Sequence, residues 1–265
     1  MKVSVIIPAH NEADCLESTA RDLFSTLTNA GIDHELLIID DHSTDTTQAV
    51  LTAVGLEITT LRCVKNLGAP GFGAAVQKGL DQTHGDVVAI YMADGSDQPN
   101  DLVHFFRVMQ ELNVECVFGS RFIAGGHVVD YPFLKLILNR IANTSIRILF
   151  GLNYNDITNA FKLYRRDVIE GLKPFLSQHF NMTVELPLKA IVRGYTYAVV
   201  PNNWTNRKVG MSKLKIQEMG SRYLFIVLYC LIERWLSRGD YHRRNRPALN
   251  HDLTSHRGSF EQADS

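Results

Sequence analysis

Two pairs of acidic residues follow short apolar runs in this sequence, and their carboxylates are suited to bind a ligand. Asp40 and Asp41 are adjacent, and such a doubled acid suits the recognition of ribose hydroxyls or base N–H groups. Asp94 and Asp97 lie three positions apart, a spacing that can hold Mg²⁺ or Mn²⁺ on a diphosphate. An equally well supported alternative for the second pair is an Asx turn that caps the following helix.

Two other polar segments also follow apolar runs. Pro8–Glu12 contains Glu12, whose carboxylate could hydrogen-bond a base or a ribose. Asn66–Gly73 is rich in glycine, but it matches neither the G-x-G-x-x-G pattern nor the P-loop pattern with its lysine. A phosphate-binding loop and a tightly packed turn are therefore equal alternatives for Asn66–Gly73.

The apolar runs that precede these residues alternate with amphipathic helical segments. Such alternation predicts βαβ units, and hence an α/β fold with a mostly parallel sheet flanked by helices. The predicted strands of this half are Val3–Ile7, Glu35–Ile39, Ile58–Val64, Val87–Tyr91 and Val114–Phe118. Because ligands bind outside the carboxyl ends of parallel strands, the acids and both polar segments should meet at one rim of the sheet.

The second half of the sequence is more helical. Helices are predicted over Phe133–Phe150 and Thr183–Arg193, and a strand over Tyr195–Val200. Tyr223–Ile232 is nearly all apolar, but its length is about half of the roughly twenty residues that cross a bilayer. With Trp235 close behind it, this stretch predicts an amphipathic helix at a membrane interface, and a core or dimer helix is the alternative.

Charge and cysteine content narrow the kind of protein. The net charge is −1, but residues 205–246 contain ten Lys and Arg against three Asp and Glu, which favours an anionic partner such as a membrane face or phosphates. The four cysteines form no C-x-x-C pair, and the first residues do not resemble a signal peptide, so we expect reduced thiols in the cytosol. The predicted organisation is a catalytic domain over 1–215, an amphipathic membrane-interface helix over 216–238 and a disordered polar tail over 239–265.

Several segments, taken in order, resemble the family 2 glycosyltransferases of the A-type fold, and among them the polyprenyl-phosphate (dolichol-phosphate) mannosyltransferases. The matching segments are Ile6–Glu12, Asp40–Thr46, the acidic loop at Asp94, Gly119–Phe122, Asp156–Lys162, Glu185 and Arg207–Lys213. They extend over about residues 3–235. The sequence departs from the family's D-x-D-x-Q/S loop, because Met92 stands at the first Asp position and Asp97 is an additional acid. The glycine loop also carries the extra residues Ala69–Gly71.

The resemblance implies a divalent cation, Mg²⁺ or Mn²⁺, and transfer of a hexose with inversion at its anomeric carbon. The favoured donor is GDP-mannose, and the acceptor is the phosphate of a polyprenyl carrier at the cytoplasmic face of the cell membrane. A phosphate monoester is already largely anionic at neutral pH, so positioning and stabilisation of the leaving diphosphate matter more than a general base. No nucleic-acid partner is predicted, and a homo-oligomer is left open.

The same resemblance assigns roles to individual residues. The implied catalytic residues are Asp94, Asp97, Arg121 and Arg207, and the first two would also bind the cation. The implied nucleotide-binding residues are Pro8, Ala9, Asn11, Glu12, Asp40, Asp41, Asn66, Gly68, Lys78 and Ala93. The implied acceptor-phosphate residues are Arg121, Glu185, Arg207 and Lys213. The alternatives are an ion pair between Arg121 and the acidic rim, and an exposed helix position for Glu185.

Two other functions compete with transfer to a polyprenyl phosphate: transfer to a different acceptor, and nucleotide-sugar binding without catalysis. A transferase with a glycan or protein acceptor would need a base near that acceptor, for which Glu185 and Asp156 are the candidates. A non-catalytic nucleotide-sugar-binding protein is the second, because Met92 replaces an expected acid.

Overall fold

Residues 1–206 and 216–243 are described in a computed structural model, and they contain a seven-stranded sheet. The strands are β1 (Val3–Ala9), β2 (His34–Asp40), β3 (Leu61–Lys65), β4 (Val87–Ile90), β5 (Cys116–Ser120), β6 (His127–Val129), β7 (Lys162–Arg165), β8 (Tyr197–Pro201) and β9 (Asn203–Thr205). The order in the large sheet is β3-β2-β1-β4-β7-β5-β8, and β6 pairs with β9 in a small second sheet. Within the large sheet only β7 runs antiparallel to its neighbours. The predicted α/β fold with a mostly parallel sheet is therefore confirmed.

Helices cover both faces of this sheet. They are α1 (Ala13–Asn29), α2 (Thr47–Glu57), α3 (Phe72–Leu80), α4 (Pro99–Glu111), α5 (Phe133–Phe150), α6 (Arg166–Leu172), α7 (Met182–Val192) and α8 (Ile216–Leu236). α1, α2 and α4 share one apolar core with the sheet, whereas α3, α6, α7 and α8 share the other. Alternate residues of β1 serve the two cores, with Val5 and Ile7 in the first and Ile6 in the second. Burial on both faces explains why the central strands are continuous apolar runs.

The predicted start of β3 differs from the structure, and four elements were not predicted. Ile58 ends α2 by donating its amide to the carbonyl of Val54, so β3 begins three residues after the predicted start, at Leu61. The sequence did not predict β7 because Lys162–Arg165 is short and charged, which is unusual for a central strand. It also did not predict α6, which follows β7 directly and has only seven residues. The small β6–β9 sheet also escaped prediction, since each of its strands has only three residues.

α8 is attached to the sheet domain along one face. Ile226, Val227 and Cys230 are buried in the same core as α7. Arg193 at the end of α7 forms a buried two-point ion pair with Glu233, with Nε–Oε1 and Nη2–Oε2 distances of 2.7 and 2.9 Å. The helix that the sequence predicts at a membrane interface therefore packs on the sheet domain through one of its faces.

The predicted tail is only partly within the described residues. Arg243 donates its backbone N–H to the carbonyl of Arg193, and its guanidinium lies 2.7 Å from Glu115. Residues 239–243 thus contact the folded domain, and the rest of the predicted tail lies outside the described residues. Arg207 and Lys213, two predicted phosphate-binding residues, also lie outside them.

α5 and α8 each expose several apolar side chains to solvent. On α5, Phe133 and Ile148 are 76% and 73% exposed, and on α8 Trp235 is 67% exposed. The C-terminal ends of the two helices meet where Arg234 of α8 donates to the carbonyl of Phe150, at 2.6 Å. No helix within residues 1–206 and 216–243 combines the length and the apolar character that bilayer crossing requires.

Candidate functional site

The predicted rim exists at the carboxyl ends of three neighbouring parallel strands. β1 lies between β2 and β4, with Ala9 paired to Asp40 and Ile6 paired to Ile90. Pro8–Glu12 begins with the last two residues of β1, Asp41 directly follows β2, and the acidic loop comes after β4. The topology therefore brings together residues that lie up to about 90 positions apart in the chain.

Hydrogen bonds join the β1 and β2 loops to each other. Asn11 has a left-handed backbone with φ of 52°, and its N–H donates to Ser43 Oγ at 3.0 Å. Its side-chain oxygen accepts from the N–H of Thr44 at 2.7 Å, while Asp40 Oδ1 accepts from the N–H of Ser43 at 3.1 Å. The N–H of Glu12 donates to Thr47 Oγ1 at 3.0 Å. Asn11 and Asp40 therefore shape the rim through these bonds.

Asp41 holds the glycine loop Asn66–Gly73 against the rim. Its Oδ1 accepts from Asn66 Nδ2 at 2.7 Å, and its Oδ2 accepts from the N–H of Gly71 at 2.8 Å. Asn66 in turn accepts from the N–H of Gly68 at 3.0 Å. The carboxylate of Asp41 is buried, so it fixes the position of this loop beside the predicted nucleotide site. The segment Asn66–Gly73 therefore forms a closely packed turn, which was one of its two predicted alternatives.

The acidic loop contains the most unusual carboxylate of the rim. Asp94 is half-buried and accepts from the N–H of Ser96 at 3.1 Å, which is the Asx turn of the alternative interpretation. Asp97 is 3% exposed, and its Oδ2 has no hydrogen-bond partner. Burial, together with the negative charge of Asp94, raises the pKa of Asp97 to about 7, against the opposing charge of Arg121. An anion held under these conditions favours a nearby cation.

The donor set of this loop fits a divalent cation. Within residues 1–206 and 216–243 no three His, Cys, Asp or Glu side chains converge as a complete metal site. Mg²⁺, however, is commonly bound by one or two carboxylates while substrate phosphates and waters complete its shell. The unpartnered Oδ2 of Asp97 beside Asp94 meets that requirement.

Arg121 is fixed by a partner that the sequence did not identify. Its Nε and Nη2 donate to the two carboxylate oxygens of Asp156, both at 2.8 Å, and its backbone N–H donates to the same side chain at 3.1 Å. Both side chains are buried, and the guanidinium lies 5.4 Å from the ring centre of Phe122. The predicted alternative, an ion pair with the acidic rim, is therefore wrong in its partner. Arg121 nevertheless remains close enough to Asp97 to lower the pKa of that acid.

Lys162 supports the segment that carries Asp156. Its fully buried ammonium donates to the carbonyls of Ile157, Asn159 and Thr183, and the first and last contacts are 2.9 and 3.2 Å. Three acceptors match the three N–H donors of a lysine ammonium. In the sequence, Lys162 stands out only as part of the segment Asp156–Lys162, and no local pattern indicates that its side chain is buried.

The remaining predicted residues separate into those at the rim and those away from it. Ala93 accepts from Thr19 Oγ1 at 3.1 Å beside the acidic loop. Lys78 lies in the last turn of α3, a helix that starts at the rim and runs away from it, so the structure does not bring it to the other residues. Glu185 is fully buried in α7 and paired with Lys189, so the predicted alternative of an exposed helix position is wrong.

Comparison with known proteins gives consistent results. The sequence pattern of the family described as Glycosyl transferase family 2 matches residues 4–172. Polyprenol monophosphomannose synthase of Mycolicibacterium smegmatis is 31% identical over 216 residues, which are 79% of this chain and 80% of the relative. Undecaprenyl-phosphate mannosyltransferase of Micrococcus luteus is 27% identical over 241 residues, which are 89% of this chain and 96% of the relative.

Solved structures share the fold. Glucosyl-3-phosphoglycerate synthase of Mycobacterium tuberculosis, in complex with phosphoglyceric acid, superimposes with a TM-score of 0.65 at 21% identity, over 88% of this chain and 79% of the other. Its complex with Mn²⁺, UDP-glucose and phosphoglyceric acid has a TM-score of 0.64 at 20% identity, over 88% and 79% of the two chains.

Proposed function

We propose that this chain, which belongs to glycosyl transferase family 2 and is a glycosyltransferase, moves a hexose from a nucleotide sugar to the phosphate of a polyprenyl carrier. The favoured donor is mannose on GDP, and the transfer inverts the anomeric carbon. The observation that carries the proposal is the single rim at which Asp41, Asp94 and Asp97 lie beside the Pro8–Glu12 segment. The names of the two bacterial relatives, which specify mannose and a polyprenyl carrier, support this choice of substrates.

The donor would bind along the rim with its diphosphate toward the acidic loop. The β1 and β2 loops and the glycine loop would contact the nucleoside, and Asp94 and Asp97 would hold Mg²⁺ or Mn²⁺. When bound, the cation would neutralise charge that develops on the leaving diphosphate. Neighbouring structures crystallised with Mn²⁺ or Mg²⁺ and UDP support a divalent cation in this fold.

The acceptor phosphate can attack without a general base. Its second pKa is about 6, so an anionic oxygen is available at neutral pH. That oxygen forms the new bond to the anomeric carbon, while the bond to the diphosphate breaks and the diphosphate leaves with the electron pair. Asp156 and Glu185, the candidate bases for a hydroxyl acceptor, are fully buried and paired with Arg121 and Lys189. This pairing favours a phosphate acceptor over a glycan or protein hydroxyl.

Positive residues would hold the acceptor and donor phosphates. Arg121 lies close enough to Asp97 to lower the pKa of that acid, and Asp156 orients its guanidinium, whose fork geometry matches phosphate oxygens. Arg207 and Lys213 are proposed for the same task from the sequence, and they lie outside the described residues.

We further propose that the protein attaches peripherally to the cytoplasmic face of the cell membrane. α5 exposes an apolar stripe and carries Lys135, Arg140 and Arg147 but no acidic residue. α8 exposes a second stripe that includes Phe225 and Trp235. A cationic amphipathic helix such as α5 binds anionic lipid surfaces, where the carrier phosphate would be reached. A homo-oligomer that buries the same stripes is the alternative.

The direct test is an assay of lipid-linked product. Purified protein is incubated with GDP-mannose, GDP-glucose or UDP-glucose, each with or without undecaprenyl phosphate, and with Mn²⁺ or EDTA. The expected result is mannose in the organic phase only when GDP-mannose, carrier and cation are all present. Donor hydrolysis without lipid product, or nucleotide binding without turnover, would contradict the proposal.

A further inference from the structure

Glu185 in α7 binds the backbone of the segment Leu176–His179. Its Oε1 accepts from the N–H of Leu176 at 2.8 Å, and its Oε2 accepts from the N–H of Ser177 at 2.7 Å. The ammonium of Lys189 lies 2.5 Å from Oε1 and also donates to the carbonyl of Pro174 at 2.6 Å. Both Glu185 and Lys189 are fully buried. The carboxylate is therefore occupied by protein partners, and its effect is to fix the segment.

The segment in turn lies directly against the start of α3. The carbonyl of Gln178 accepts from the N–H of Ala74 at 3.0 Å, and the carbonyl of Ser177 accepts from Gln77 Nε2 at 2.8 Å. A Cβ atom on Gly73 would lie 2.5 Å from the Ser177 oxygen, closer than real Cβ contacts occur. Only glycine at position 73 allows the backbone of Leu176–His179 to approach α3 this closely.

Gly71 lies between this segment and Asp41. A Cβ atom on Gly71 would meet the carbonyl oxygen of Gln178 at 2.4 Å, and its φ of 144° also favours glycine. The N–H of the same residue donates to Asp41 Oδ2 at 2.8 Å. The glycine loop is therefore held on one side by a rim acid and on the other by the segment that Glu185 fixes.

We infer that Glu185 is a positioning residue for the nucleotide, which it affects through Leu176–His179 and the glycine loop. The inference rests on the proposed function, in which Asn66 and Gly68 of that loop contact the nucleotide. It replaces a direct contact between Glu185 and the acceptor phosphate. Loss of the Glu185 contacts should release the glycine loop and weaken donor binding, while the chemical step at the acidic loop is retained.

Gly73→Ala tests the contact from the loop side, with Gly55→Ala as its matched control. Both substitutions replace a helical glycine by alanine, but a Cβ on Gly55 meets only Leu61 at an ordinary 3.9 Å. We expect the Kd of GDP with Mn²⁺, measured by calorimetry, to rise about tenfold in Gly73→Ala and to change less than about twofold in Gly55→Ala. The KM for GDP-mannose should rise in parallel, with kcat within about threefold of the wild type.

Glu185→Gln tests the contact from the other side. Glutamine keeps the size of the side chain. Its amide has only one acceptor oxygen, so it cannot replace both carboxylate oxygens that accept from the backbone N–H groups of Leu176 and Ser177. The same rise in Kd is expected, and the double variant Gly73→Ala/Glu185→Gln should bind no more than about twofold more weakly than the weaker single variant. A merely structural role would lower the melting temperature of Glu185→Gln without moving the Kd or the KM-to-kcat pattern.

The outcomes separate this inference from the proposed function. A wild type that binds no nucleotide contradicts the proposed function. Alternatively, the wild type binds GDP while Gly73→Ala leaves the Kd unchanged, or while the two effects multiply in the double variant. Either result overturns the positioning role of Glu185 and leaves the proposed function standing. If Glu185→Gln does not fold, as judged by circular dichroism, the Kd of Gly73→Ala against Gly55→Ala still tests the contact through which Glu185 would act, and an unchanged Kd overturns the inference.

Discussion

Asp97→Asn should remove a pH-dependent loss of stability that the acidic loop imposes on the protein without cation. Burial beside Asp94 raises the pKa of Asp97 from its ordinary 3.8 to about 7. The folded protein therefore binds this proton more tightly than the unfolded chain, and stability falls as the pH rises from about 4 to about 7. A pKa difference of about three corresponds to about 4 kcal/mol, because each unit is worth about 1.4 kcal/mol.

The assay is thermal unfolding in EDTA at pH 5.5 and pH 8.5. About 1.5 of the three pH units lie between pH 5.5 and the pKa of about 7, so this window contains about 2 kcal/mol of the loss, which corresponds to about 6 °C in the melting temperature of a domain of this size. We expect the wild type to lose about that much more than Asp97→Asn between the two pH values. Asp33→Asn is the control, because Asp33 is exposed at the opposite end of β2, and it should match the wild type. Mn²⁺ with GDP should reduce the loss in the wild type, since a cation stabilises the ionised form.

The pH slope decides whether the reasoning is right. Asparagine also changes local hydrogen bonds, so the melting temperature at one pH is less informative than its change between two. Equal slopes in the wild type and in Asp97→Asn would mean that Asp97 does not carry a raised pKa. The acidic loop would then have no unusual affinity for a cation.

Three further results are expected. Asp94→Ala should lower kcat/KM for mannosyl transfer by at least about a hundredfold, and normal turnover would refute the role of this acid. Arg121→Met should cost about 3–5 kcal/mol in urea unfolding, because it leaves Asp156 buried without its partner, and an unchanged midpoint would contradict the buried ion pair. Ile141→Asp in the exposed stripe of α5 should reduce co-sedimentation with anionic vesicles at least about fivefold relative to Thr52→Asp on α2, whereas equal binding would exclude α5 from the membrane surface.

The sequence predicted the rim because the relevant signals are local. Each of β1, β2 and β4 is a short apolar run, and the polar residues follow it directly. The rule that parallel strands present their carboxyl ends at one edge then supplies the long-range arrangement. The sequence alone therefore places Asp41 and Asp94 on the same rim.

The supporting contacts could not be predicted because they join distant parts of the chain. Arg121 and Asp156 are 35 positions apart, and they meet only because β7 inserts antiparallel between β4 and β5. The burial of Glu185 depends on the segment Leu176–His179, whose path follows no periodic pattern. Lysine side chains are mostly exposed in proteins, so Lys162 would be expected at the surface. Its ammonium is instead buried and stabilised by three carbonyl acceptors.

Calorimetric titration of GDP-mannose tests most directly whether acids from separate strand ends grip one sugar diphosphate and its cation. Wild type and Asp94→Ala/Asp97→Asn are each titrated in Mn²⁺ and in EDTA. We predict that the wild type binds at least about tenfold more tightly in Mn²⁺ than in EDTA, and that the double variant shows no such difference. Equal affinity of both proteins in Mn²⁺ would contradict the account.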